Sequence, residues 1–167
     1  MKLYAKISLI ILLPLLAGLT GCIKEEQYPL KPAIEFGRLE ALKDISGKDS
    51  IIFLTISYTD GDGNIGLPDG DTIPLKYNYY MKFFQYINKE LVEFKPVNEA
   101  ITFDARIPIL TPVGKNKNIK GDITRSFQIY YARKLLQSDT IAFEVYIKDR
   151  TLLESNVITT PLVIIKR

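Results

Sequence analysis

Four aspartates and one asparagine fall within the twelve residues "DGDGNIGLPDGD", Asp60 to Asp71, interleaved with four glycines. Hard oxygen donors at alternate positions on a tightly turning backbone suit calcium, which takes six to eight oxygen ligands in a flexible geometry. Read as a helix–loop–helix calcium loop, Asp60, Asp62 and Asn64 occupy the first, third and fifth places, Gly66 the seventh and Asp71 the twelfth. That register fails where it matters. Ile65 stands where a glycine must make the sharp turn, Asp71 where a bidentate glutamate is usual, and the preceding "SIIFLTISYT" is strand-like. Two readings stay open. In one, Asp and Gly serve only to turn the chain, because they tolerate positive φ and cap turns with their own side chains. "DGDG" then makes a turn, "NIGL" re-enters a sheet with Ile65 and Leu67 inward, and Pro68-Asp69-Gly70 centres a second turn. In the other, the oxygens hold a cation.

Catalysis has little to work with. The chain contains no histidine and a single cysteine, Cys22, so the commonest general base is missing and a free thiol depends on that one residue. Other acids, such as Glu93 and Glu144, fall in turns or on outward strand positions where solvation is the ordinary reason for them. No glycine-rich phosphate loop precedes a helix and no zinc-ligand set is spaced along the chain. The expectation is a non-catalytic protein.

The first residues read as an address. "MKLYAK" carries two lysines, and "ISLIILLPLLAGL" is an apolar run of 13 residues containing Pro14, shorter than the roughly 20 that a spanning helix needs. An uncleaved anchor is the alternative. The run ends in Leu19-Thr20-Gly21-Cys22, which resembles the lipobox of bacterial lipoproteins. The resemblance implies cleavage before Cys22 and acylation of its thiol; two or three chains on one residue anchor stably where one does not. Glu25 and Glu26 follow closely and resemble the acidic export signal of surface lipoproteins in Bacteroidota, although an ordinary charged tether reads the same way. The expected organisation is a signal peptide over 1–21, a lipidated tether with Pro29 and Pro32 over 22–32, and one domain over 33–167. Loss of 1–21 removes two of the 22 basic residues and none of the 19 acids, for a net charge of +1. A balance so near neutral argues against nucleic acid as a partner.

Ten tyrosines and eight phenylalanines among β-branched residues, in short runs broken by turn residues, predict an all-β chain. Eight candidate strands stand out: 34–42, 50–59, 75–87, 91–97, 100–109, 123–135, 139–149 and 155–165, with "NKE" as a turn after Ile87 and "TPVGKNKNIKGD" as a polar loop. "YYARKLLQ" suits one helical turn. In "IAFEVYIK", Ile141, Phe143, Val145 and Ile147 share one face, and Ala142, Glu144, Tyr146 and Lys148 the other. Two antiparallel sheets packed face to face would bury the inward rows.

Together the lipobox, the strand leading into "YTDGDGNIGL" and the C-terminal "FEVYIKDR…SNVITTPLVI" resemble uncharacterised Bacteroidota lipoproteins with an immunoglobulin-like domain. The resemblance implies an immunoglobulin-like β-sandwich of seven to eight antiparallel strands and an outer-membrane, lipid-anchored location. It implies no established activity. Where those proteins turn through glycine after the penultimate strand, "DRTLLESN" has none.

If "SIIFLTISYT" and "IAFEVYIK" occupy equivalent central positions in the two sheets, their following loops meet at one end. Asp149 then approaches Asp60 and Asp62, and three carboxylates require a cation or wide separation. The candidate calcium ligands are Asp60, Asp62, Asn64 and Asp149, with Asp69 or Asp71 optional. In the aromatic strand, Tyr77, Tyr79, Met81 and Phe83 share one face and Tyr80, Phe84 and Tyr86 the other. Tyr80, Phe84 and Tyr86 are the candidate surface for a glycan or an envelope protein. The basic loop at Lys115, Lys117 and Lys120 reads as a solvated tip. The functional expectation is an outer-membrane binding or accessory module; a structural subunit of an envelope complex is the alternative, and an accessory to a surface glycan hydrolase a more remote one.

Overall fold

Alternation builds the core. The structure, a computed structural model, describes residues 26–70, 75–96, 102–110 and 118–167. The expected signal peptide, Cys22, Glu25, Asp71, Lys115 and Lys117 lie outside the described residues. In β2 (Asp49–Asp60) Ile52, Leu54, Ile56 and Tyr58 point inward and are buried, as a period-2 strand requires. The strand is central in a three-stranded antiparallel sheet, between β1 (Ala33–Lys43) and β5 (Ile119–Gln128).

The second sheet is ordered β4–β3–β6–β7, from β4 (Glu90–Glu93), β3 (Tyr79–Ile87), β6 (Thr140–Ile147) and β7 (Ile158–Thr159). β8 (Val163–Ile164) also pairs with β6, and every pairing is antiparallel. Asn88 and Lys89 both take positive φ in the tight β3–β4 turn, the backbone twist that a two-residue hairpin needs. Tyr79, Met81 and Phe83 of β3 and Ile141, Phe143, Val145 and Ile147 of β6 meet the inward row of β2 in one core. Phe143 packs against Phe83 at 4.9 Å and against Phe127 of β5 at 5.0 Å, so one ring joins both sheets. The described residues are nearly all-β, with a single helical turn α1 (Ala132–Leu135) where "YYARKLLQ" placed one.

Several expected elements differ: β3 begins at Tyr79 where 75 was expected, β4 ends at Glu93 short of 97, and β5 ends at Gln128 short of 135. Residues 102–109 of the expected strand 100–109 form isolated bridges only, Ala105 to Tyr79 and Pro108 to Leu67. Side chains take the places of a ladder there. Asp104 accepts the Met81 N–H at 3.1 Å, Asn78 Oδ1 accepts the Ile107 N–H at 2.6 Å, and Pro108 has no N–H to give. The expected strand 155–165 divides into β7 and β8 around Pro161, where the buried Thr160 hydroxyl oxygen accepts the Phe143 N–H at 3.0 Å. β5 starts at Ile119, inside the expected polar loop, because Lys120, Gly121 and Asp122 find partners along Thr59, Tyr58 and Ser57.

At the end away from the acidic loop, buried Arg133 donates to the Asp49 carbonyl and to Asp44 Oδ2, both at 2.6 Å. Ser46's hydroxyl and then Arg133 hold the Asp44 carboxyl well below the usual range. A depressed carboxylate contributes stability that is present above the unfolded value of about 4 and is lost as pH falls. The acid limb of a melting-temperature profile should therefore flatten in Asp44→Asn. Phe143→Ala should cost about 3–5 kcal/mol in urea unfolding, because its cavity lies between the sheets.

Candidate functional site

The inward rows of the two central strands do not end apolar. Continuing the parity of β2 past Tyr58 reaches Asp60, and continuing that of β6 past Ile147 reaches Asp149. Both are 0% exposed. A carboxylate taken from water in this way must be neutralised, paired or bound to a cation.

Each is braced by one of its oxygens. Asp60 Oδ2 accepts the N–H of Asn64 at 2.9 Å and of Ile65 at 3.3 Å, which closes the "DGDG" turn, with Gly63 at φ 65°. Asp149 Oδ1 accepts the Leu153 N–H and the Thr151 hydroxyl, each at 2.9 Å. Those two bonds shape the glycine-free turn after β6, where Leu152 carries φ 71°. Asn64 ties the loops together. Its Nδ2 donates to Asp62 Oδ2 at 2.8 Å and to Thr151 Oγ1 at 3.4 Å, and its carbonyl accepts the Arg150 N–H at 3.3 Å. Donation by Nδ2 also fixes which way the amide points.

The other oxygens have no such use. Among the described residues seven buried side-chain polar atoms lack a hydrogen-bond partner, and four of them belong to this cluster: Asp60 Oδ1, Asp62 Oδ1, Asn64 Oδ1 and Asp149 Oδ2. An unsatisfied buried acceptor costs about 1–3 kcal/mol, so four in one place need a reason. Burial first, and then the neighbouring Asp62 charge, push the Asp60 carboxyl up to about 6, against the pull of the two backbone N–H groups. The oxygens left over are three carboxylate oxygens and one amide oxygen, hard donors of the kind calcium takes. Among the described residues no three His, Cys, Asp or Glu side chains close into a metal-ligand group. Asp60 and Asp62 are adjacent, whereas Asp149 joins them through Thr151 and Asn64.

The structure thus brings together Asp60, Asp62, Asn64 and Asp149. Asp69 sits exposed on its turn, with Gly70 at φ 78°. Ile65 and Leu67 are buried, as expected for the re-entering chain. Thr151 and Arg150 were not singled out from sequence; the D-x-T spacing of Asp149 and Thr151, which lets the acid accept from a hydroxyl two residues on, was the available signal. Arg150 Nη1 also donates to the Gly66 carbonyl at 2.9 Å.

Tyr80, Phe84 and Tyr86 share the outward face of β3 and are half-buried, while Tyr79, Met81 and Phe83 face the core. Tyr80 stacks on Tyr146 of β6 at 4.7 Å between centroids and 9° between planes, and its hydroxyl donates to the Tyr77 carbonyl. One face of that ring is therefore already covered. Phe84 and Tyr86 lie opposite Glu93 and Leu91 of β4.

Two antiparallel sheets around one core, with an acidic cluster closing one end, define the class as an all-β protein consistent with a β-sandwich. Comparison of the chain with protein-family models, with curated proteins and with solved structures gives no match.

Gly66 holds the loop under the 102–110 segment at φ 101°, and a Cβ there would lie 2.2 Å from the Pro108 carbonyl oxygen. Gly66→Ala should destabilise the fold by about 2 kcal/mol or more in urea unfolding, from the backbone strain and the clash together.

Proposed function

We propose that the chain is a non-catalytic, lipid-anchored module of the outer membrane, an immunoglobulin-like sandwich whose acidic end binds calcium. The observation that carries the cation is the set of four buried, unpartnered oxygens on Asp60, Asp62, Asn64 and Asp149. Each residue spends one atom on bracing the loops and leaves a hard acceptor over. Turn formation alone explains the braced atoms but not the ones left over. Bound calcium would neutralise the Asp60 and Asp62 charges and draw Asp149 to them, fastening the ends of β2 and β6. The module then acts as a rigid accessory at the envelope, presenting the outward face of Tyr80, Phe84 and Tyr86 to a glycan or protein. The anchor reading rests on the "LTGC" spacing and on Cys22 being the chain's single cysteine.

Calcium at a hundred times its dissociation constant should stabilise the mature chain by about 2.7 kcal/mol, read as a rise in melting temperature that chelator reverses. Asp60→Asn keeps an oxygen for the Asn64 and Ile65 N–H groups but loses the charge. It should fold as well as the parent in chelator and show no calcium response; an equal response in parent and variant, or none in the parent, refutes the site. Cys22→Ala should abolish acylation and move the protein from the membrane fraction to the soluble one.

A further inference from the structure

The residue between Asp60 and Asp62 is the one on which the N-terminal tether rests. Gly61 donates its N–H to the Pro29 carbonyl at 2.8 Å. A Cβ on Gly61 would lie 2.2 Å from the Tyr28 carbonyl oxygen and 2.8 Å from that of Pro29, so the tether backbone occupies the space a side chain would take. Gly61 does not take the positive φ of Gly63 and Gly66. Glycine is needed here for close approach and not for the turn.

The remaining tether contacts are superficial. The Tyr28 N–H donates to Asn118 Oδ1 at 2.8 Å, Asn118 Nδ2 donates to the Glu26 carbonyl, and Lys120 pairs with Glu26 at 3.1 Å where both side chains are about two-thirds exposed. Exposed pairs of this kind contribute little. The first firm attachment of the chain comes at the start of β1, where Ala33 pairs with Thr59 and the Asn156 side chain binds both the N–H and the carbonyl of Ile34 at 2.8 Å. Docking of residues 26–32 therefore depends on how steadily the loop presents Gly61.

We propose that the cation held by Asp60 and Asp62 locks the tether onto the domain, so that calcium sets how far the domain stands from its anchor. The inference rests on the cation reading of the site. With calcium bound, the carboxylates on either side of Gly61 are drawn together and its N–H stays aimed at Pro29. Without it, the two charges repel, the turn loosens and residues 26–32 lift away. From Cys22 to the docked Tyr28 is six residues, a reach of at most about 22 Å; from Cys22 to Ala33, where the sheet begins, is eleven, at most about 40 Å. Release thus nearly doubles the distance available to the domain above the membrane.

Hydrogen exchange of the full mature chain, with calorimetry on the same sample, separates the two ideas. The Tyr28 and Gly61 amides, whose N–H groups make the docking bonds, should exchange about tenfold more slowly in calcium than in chelator. If calorimetry shows calcium binding and these amides do not change, the lock is wrong and the cation site stands. If calcium does not bind, both fall. Gly61→Ala expels the tether without touching a ligand, and Asn118→Ala loosens it from outside the loop. Because coupling is reciprocal, each variant should lose the calcium-dependent protection and bind calcium more weakly by the same factor by which calcium protects the parent's tether. Unchanged affinity in variants whose tether no longer docks overturns the proposal.

Discussion

Two carboxylates are sealed into one end of a hydrophobic core, and the surrounding structure is organised by that burden. Asp60 and Asp149 complete the inward rows of the two central strands and are wholly buried. A charge in that position drives the chain around it to supply donors. The turn after β2 wraps so that two backbone N–H groups point at Asp60, and the turn after β6 forces Leu152 to positive φ so that Leu153 and Thr151 reach Asp149. Everything packed on those turns inherits their shape. The tether lies on Gly61, the 102–110 segment covers Gly66, and Arg150 holds the Gly66 carbonyl from the other sheet.

The rest of the molecule shows what an ordinary solution looks like by contrast. Between the sheets, five phenylalanines (83, 94, 103, 127 and 143) contact one another at tilted or edge-on angles with centroids 4.9–6.1 Å apart, the geometry that aromatic quadrupoles favour. At the opposite end, the buried guanidinium of Arg133 meets a carbonyl and a carboxylate directly, so its charge is matched by partners within the chain. The long edge strands are also guarded. β1 carries Glu35, Arg38, Glu40 and Lys43 and breaks register at Gly37; β5 carries Lys120, Asp122 and Arg125. Charges and a bulge on an edge discourage pairing with another chain.

Much of the fold was legible because strand periodicity is local. The alternation of "IAFEVYIK" identifies a core row without reference to any neighbour, and Ile141, Phe143, Val145 and Ile147 are buried as written; "SIIFLTISYT" has apolar residues on both faces, and packing decided that Ile52, Leu54, Ile56 and Tyr58 turn inward. Where reading failed, side chains had replaced ladder bonds. Asp104 and Asn78 cap N–H groups that a strand over 102–110 would have paired with main chain, and Thr160 with Pro161 does the same between β7 and β8. Composition cannot reveal such substitutions, since an Asp or Thr that caps a neighbour looks the same as one that faces water. The start of β5 was hidden for a related reason: "NIKGD" is polar and turn-like, and only its register against β2 makes it a strand.

By itself, the sequence determined the all-β class and the row Ile141, Phe143, Val145 and Ile147 of β6, because a two-residue period is a property of the backbone alone. Only the tertiary structure decided that the ends of β2 and β6 meet. Asn64 and Thr151 are 87 residues apart in the chain and 3.4 Å apart in space, a relation set by how two sheets stack. It likewise decided which oxygens of Asp60, Asp62, Asn64 and Asp149 are braced and which are left over. Hydrogen-bond satisfaction is a sum over neighbours from several elements, and no single stretch of chain contains that sum.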